Sequence, residues 1–112
     1  MKSYVPYLMM AIDAGRRALV YKPTTSDEFL AASIIQDAVC MRLQEMGENL
    51  SKIRQNFPDY FQRAHSDSWN KLIGLRNIIS HGYGEVDMEI VWEILEKHLD
   101  TLIAELEELA AD

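Results

Sequence analysis

The sequence predicts an all-α fold, an up-and-down bundle of four to five helices, on three observations. Apolar residues recur at steps of three and four over long stretches, as one face of a helix requires. No stretch alternates apolar and polar residues in the manner of a half-buried strand. Breakers and capping residues separate the periodic stretches: Lys22-Pro23-Thr24, Asn56-Phe57-Pro58-Asp59 and Gly82-Tyr83-Gly84.

The first helix is expected from about Ser3, its N-cap, to about Val20, with Val5, Leu8, Ile12 and Leu19 at helical spacing. Thr25 and Glu28 form a capping-box pair that opens the second long helix. Its stripe, Ile35, Val39, Leu43, Met46, Leu50 and Ile53, steps by four and three as a bundle seam does. Pro58 starts a short turn through Phe61. Ser66 or Asp67 caps the next helix, which carries Trp69, Leu72, Ile73, Leu75, Ile78 and Ile79, and Gly82 suits a left-handed stop. Asp87 caps the last helix, with Met88, Val91 or Trp92, Leu95, Leu99, Leu102, Leu106 and Leu109 inward. Gly47 and Gly74 lie inside helical pattern, where each costs about 1 kcal/mol relative to Ala; close approach of a neighbouring helix would offset that cost.

At 112 residues the chain is expected to form one domain over 1–112, long enough for a single core. No segment approaches the roughly 20 apolar residues of a membrane span, so no membrane association is expected. The N-terminal residues lack a charged region followed by an apolar run, so no signal peptide is expected either. The lone Cys40 has no internal partner and sits among apolar residues, as a buried small hydrophobe would. A reducing cytoplasm is the simplest location. The net charge of -7 argues against nucleic acid, because phosphate binding rests on Lys and Arg. The distribution is uneven, however. Residues 52–83 carry Lys52, Arg54, Arg63, Lys71 and Arg76 against Asp59 and Asp67, and residues 84–112 carry ten acids against Lys97. A locally basic segment therefore lies inside an acidic chain. The acidic last helix reads as a solvated face or as a surface for a basic partner.

The stretch Leu75-Arg76-Asn77-Ile78-Ile79-Ser80-His81-Gly82-Tyr83-Gly84 holds the residues suited to chemistry. At about 100° per residue, Asn77 and His81 lie within about 40° of each other, but Arg76 and His81 lie about 140° apart. Arg76 and His81 converge only if the helix end is distorted near Gly82, or if two copies of the chain meet. His accepts or donates a proton near neutral pH. Arg grips phosphate bidentately and stabilises charge developing at phosphorus. With Asn77 to fix geometry, this set could cleave RNA without a metal. One such His per chain supplies one proton-transfer group, so a dimer would complete the pair. Tyr83 could contact phosphate or stack on a base. The plainer alternative is that Arg76 and His81 are cations favoured at a helix C-terminus by its dipole. Neither His65 nor His98 has metal-ligand spacing to another His or Cys, and no metal site is expected.

The stretch resembles the R-x4-H-x-Y signature of HepT-like toxins in the HEPN superfamily. Met46-Gly47-Glu48-Asn49-Leu50 resembles that family's Gly-Glu element, and Trp69 and Val86-Asp87-Met88-Glu89-Ile90-Val91-Trp92 extend the likeness over nearly the whole chain. The resemblance implies a HEPN-like all-α homodimer, a metal-independent endoribonuclease that needs no cofactor. It implies Arg76 and His81 as the catalytic pair and Asn77 as their polar support. It also implies a minimal nucleotidyltransferase antitoxin as partner, one that adenylylates Tyr83 and so silences the toxin. Glu48 matches the family's acidic residue and would pair with Arg76 across the helices, or with Lys52 as an i,i+4 partner on a solvated face. The alternative function within the same superfamily is a non-catalytic module that binds a nucleotide or docks a nucleotidyltransferase.

Overall fold

The computed structural model describes residues 3–111. Helix α1 (Val5–Tyr21) has Tyr4 at its N-cap position, and Ser3 acts from one residue earlier, its Oγ accepting from the Val5 amide at 3.1 Å. Pro6 falls in the first turn, where its missing N–H leaves no bond unmade. Leu8, Ala11, Ile12, Ala14, Gly15 and Ala18 form the buried face. Lys22 is extended, as the residue before a proline should be, and ends the helix. Its ammonium meets Glu96 at 2.7 Å and lies 5.2 Å above the Trp92 ring centre, tying this turn to the last helix.

Thr25 caps α2 (Ser26–Ala31), its Oγ1 accepting from the Glu28 amide at 3.2 Å. The single long second helix expected from periodicity is two helices. The chain breaks at Ala32 (φ -118°, ψ 89°) before α3 (Ser33–Asn56) begins. The break swings Phe29 fully into the core, 5.6 Å from the Trp92 ring. The Gln36 amide donates to the Phe29 and Leu30 carbonyls at 3.0 and 3.2 Å; the Phe29 carbonyl also accepts from the Ala32 amide at 3.3 Å, so it is the Leu30 group that the break would otherwise orphan. Apolar periodicity carries no signal for such a polar clip. Beyond it the stripe holds: Val39, Leu43, Met46, Leu50 and Ile53 are buried, while Ile35, near the break, is only partly so.

Helix α4 (Pro58–Ala64) is a turn longer than expected and buries Phe61. Helix α5 (Asp67–His81) has Ser66 at its N-cap position and buries Trp69, Leu72, Ile73 and Leu75. A single 3-10 turn (Tyr83–Glu85) leads to Asp87, whose carboxylate accepts from the Glu89 amide at 2.9 Å and caps α6 (Met88–Glu93). A π turn (Ile94–His98) joins α6 to α7 (Leu99–Ala111) without leaving helical backbone angles, so the three form one rod. Helix α1 packs on α3 and α7, α3 also packs on α5, and α2 lies against α6. Trp69 is fully buried at the centre, and removing such a side chain costs about 3–5 kcal/mol. Among the described residues there is no strand, and no helix is long and apolar enough to cross a membrane.

The two helical glycines differ. A Cβ at Gly47 would stand 2.4 Å from the Leu72 carbonyl oxygen and 2.7 Å from the Arg76 Cβ, so here α3 and α5 touch backbone to backbone. A Cβ at Gly74 would meet nothing within 4 Å, so the close-packing expectation fails there. The left-handed expectation for Gly82 also fails. Its φ is -177°, an extended stop, and its amide closes the helix on the Ile78 carbonyl at 3.0 Å.

Candidate functional site at the end of helix α5

Gly47 decides where Arg76 sits. Without a side chain at position 47, the stem of Arg76 lies directly against α3, and its guanidinium reaches the next residue of that helix. Arg76 Nη2 meets Glu48 Oε2 at 2.6 Å, and Nη1 donates to Asn77 Oδ1 at 3.1 Å. Both partners of the ion pair are about one-third exposed, so its worth is that of a partly screened pair, about 1 kcal/mol or less. Glu48 is thus the cross-helix partner of Arg76 rather than the i,i+4 partner of Lys52. Arg76 Nε is buried and has no hydrogen-bond partner among the described residues. A guanidinium offers five N–H donors, so most of its capacity is uncommitted. The side chain borders an open polar cavity of about 530 Å³ lined by Glu48, Ser51, Lys52, Arg54, Gln55 and Arg76.

His81 is exposed in the last turn of α5, and its ring makes no hydrogen bond or ion pair among the described residues. The helix is regular through His81, so Arg76 and His81 keep the angular separation of about 140° that five residues impose. The structure therefore brings Arg76, Asn77 and Glu48 together and does not fold His81 onto Arg76 within one chain. Gln44 Nε2 donates to Ser80 Oγ at 3.2 Å, pinning the end of α5 to α3.

Tyr83 lies on the other side of this end. The 3-10 turn carries it back over α3, where its hydroxyl donates to Asp37 Oδ1 at 2.5 Å. Burial, with the neighbouring Asp37 carboxylate and Cys40, holds its phenol well above the ordinary tyrosine range. Burial is also the chief reason the Cys40 thiol is raised, opposed by a hydrogen bond with Tyr83. Asp37, Cys40, Met41, Gln44, Ile79 and Tyr83 line a cavity of about 290 Å³. Sequence reasoning missed Asp37 and Gln44. They lie 46 and 36 residues from their partners, in a stretch with no motif, and only the α3–α5 packing brings them in.

His65 is structural: it stacks on Phe61 at 4.3 Å and its Nδ1 lies 2.7 Å from the Phe61 carbonyl. His98 lies 3.8 Å from Glu93 on the last rod. Among the described residues, no three His, Cys, Asp or Glu side chains gather as metal ligands.

An all-α bundle with a motif Arg set beside a polar cleft at the end of its penultimate long helix places the chain among HEPN-type helical proteins. The family model for "Ribonuclease HepT-like" proteins matches residues 11–109. The chain belongs to this HepT-like family. A Methanocaldococcus jannaschii protein with a provisional RNase name, MJ1380, is 30% identical over 72% of this chain and 72% of its own. The probable ribonuclease HepT of Thermococcus cleftensis is 27% identical over 74% of this chain and 73% of its own. A longer M. jannaschii protein, named as a gamma-glutamylcyclotransferase and provisional RNase, is 27% identical over 76% of this chain, and the match spans only 37% of its length. No solved structure matches the chain.

Proposed function

We propose that this chain is the toxin of a toxin–antitoxin pair, an endoribonuclease that works without a metal, as a homodimer. The observation that carries this reading is the tethering of Arg76. Its side chain is about one-third exposed, held by Glu48 and Asn77, and borders a polar cleft with donors to spare. In the proposed reaction a general base takes the proton of the RNA 2'-hydroxyl, and the freed oxygen attacks the adjacent phosphorus. Arg76 stabilises the charge that builds on the phosphoryl oxygens, and a general acid protonates the departing 5'-oxygen. The products are a 2',3'-cyclic phosphate and a 5'-hydroxyl. His81 supplies one proton-transfer group per chain, and a second copy supplies the other. Such a copy would meet the exposed face of α5 that His81 shares with Gly74 and Ile78, where Ile78 and Ile90 stand 48% and 55% exposed, and so bring a second His81 beside the first.

The proposed antitoxin is a minimal nucleotidyltransferase that silences the toxin by adenylylating Tyr83. The added phosphate and its nucleoside would obstruct RNA by bulk and by repulsion. A second reading, a non-catalytic module that docks such an enzyme, is favoured by Ile34 and Met41. They stand 83% and 61% exposed on α3, the helix that holds Tyr83 through Asp37.

Growth of a bacterial host under induced expression tests both readings. The wild-type chain is expected to arrest growth and cleave cellular RNA, and Arg76→Ala and His81→Ala to do neither at equal soluble levels. His81 is exposed, so its removal should alter stability by no more than about 0.5 kcal/mol. RNA cleavage by a well-folded His81→Ala protein would refute the mechanism. Harmless expression of the soluble wild-type chain would favour the docking module.

A further inference from the structure

The cleft beside Arg76 continues along α3. Glu48, Ser51, Lys52 and Gln55 follow one another at steps of three, one and three, so they share one face of that helix over about 10 Å. Arg54 lines the same cleft from the edge of that face. Six of the described cations are paired: Arg16 with Glu107, Arg17 with Asp13, Lys22 with Glu96, Arg42 with Glu45, Lys71 with Asp67 and Arg76 with Glu48. Lys52, Arg54, Arg63 and Lys97 make no ion pair among the described residues, and two of these four meet in this one cleft. The one acid lining it among the described residues, Glu48, is committed to Arg76. A chain with net charge -7 has acids in excess, yet among the described residues none answers Lys52 or Arg54. The helix dipole accounts for a cation in the last turn of α3, where Arg54 lies. It does not account for Lys52, nor for the convergence of both cations with Arg76 on a single cavity.

We infer that this cleft is the track for the RNA backbone, with Lys52 and Arg54 holding the phosphates next to the one on Arg76. Ser51 and Gln55 supply neutral hydrogen bonds to phosphate or ribose. The inference rests on the ribonuclease reading and adds to it the direction in which the strand leaves the site, along the second half of α3. Contacts of this kind set position and register without reading bases. They would also let an acidic protein hold RNA, because Lys52, Arg54 and Arg76 stand together in one cleft.

The test uses the full-length protein carrying His81→Ala, so that RNA survives the measurement, and a labelled single-stranded RNA of mixed sequence. Binding is followed by anisotropy between about 50 and 200 mM salt. Lys52→Gln with Arg54→Gln should lower the slope of log affinity against log salt by about 1.4, or about 0.7 per lost contact. Affinity at the low-salt end should fall about tenfold or more, and Lys52→Arg should keep it. The control is Arg63→Gln with Lys97→Gln, which changes net charge equally and should leave the slope in place. In the cleavage-competent background, the cleft variant should raise KM and spare kcat. Equal loss in both double variants would mean that only net charge matters. Unchanged binding in the cleft variant beside a binding wild type would place the RNA elsewhere. Either result overturns the track while the ribonuclease reading stands. A wild-type chain that neither binds nor cleaves RNA would overturn both.

Discussion

Gly47→Ala tests the contact on which the placement of Arg76 depends. A methyl group there would lie 2.4 Å from the Leu72 carbonyl oxygen, whereas ordinary contact is 3.4–4 Å. The obstruction is backbone, so no side chain can rotate away, and α3 and α5 must part by about an ångström. Overpacking costs about 1–3 kcal/mol, and an unyielding backbone obstruction falls in the upper part of that range, about 2–3 kcal/mol. Replacing a mid-helix glycine by alanine returns about 1 kcal/mol, leaving a net loss of about 1–2 kcal/mol. For a chain of this size that is a fall of about 4–8 °C in Tm. Gly74→Ala is the internal control: nothing lies within 4 Å of its new Cβ, so it should gain up to about 1 kcal/mol. The assay is thermal and urea unfolding followed by far-ultraviolet circular dichroism at one protein concentration, since association shifts Tm. A Gly47→Ala protein as stable as wild type, or more so, would refute the close approach. It would also remove the reason given for the position of Arg76.

Glu48→Gln keeps the shape of the Arg76 partner and removes its charge. Stability should drop by less than about 1 kcal/mol because the pair is partly exposed, while single-turnover RNA cleavage should fall about tenfold or more as the guanidinium loses its anchor. The raised Cys40 and Tyr83 groups predict an alkaline limit to stability. Above about pH 9 the unfolded chain loses thiol and then phenol protons that the folded chain retains, so the urea midpoint should decline as pH rises. Tyr83→Phe should flatten the upper part of that decline, and Cys40 should react with a thiol reagent only on unfolding.

Elements were legible where local chemistry decides them. Thr25 and Asp87 cap the helices that their residue types announce, and the stripe from Val39 to Ile53 is buried as its spacing requires. The failures came where distant groups decide. The break at Ala32 depends on Phe29 finding Trp92 and on Gln36 covering two carbonyls, and none of these appears in an apolar pattern. Gly47 and Gly74 look alike in sequence and differ only in whether another helix lies alongside. The same limit applies to the site. Arg76 and His81 could be named by residue type, but whether they meet is a question of helix phase. Sequence allowed two routes to a joint site: a distorted helix end or a second chain. Helix α5 stays regular through His81, which removes the first route within this fold. Under the proposed function a joint site then needs a second copy of the chain, whose contact surface has to reach Arg76 as well as His81: Gly74, open to solvent, and Ile78, half-exposed, lie on the His81 side of α5, about 160° from Arg76.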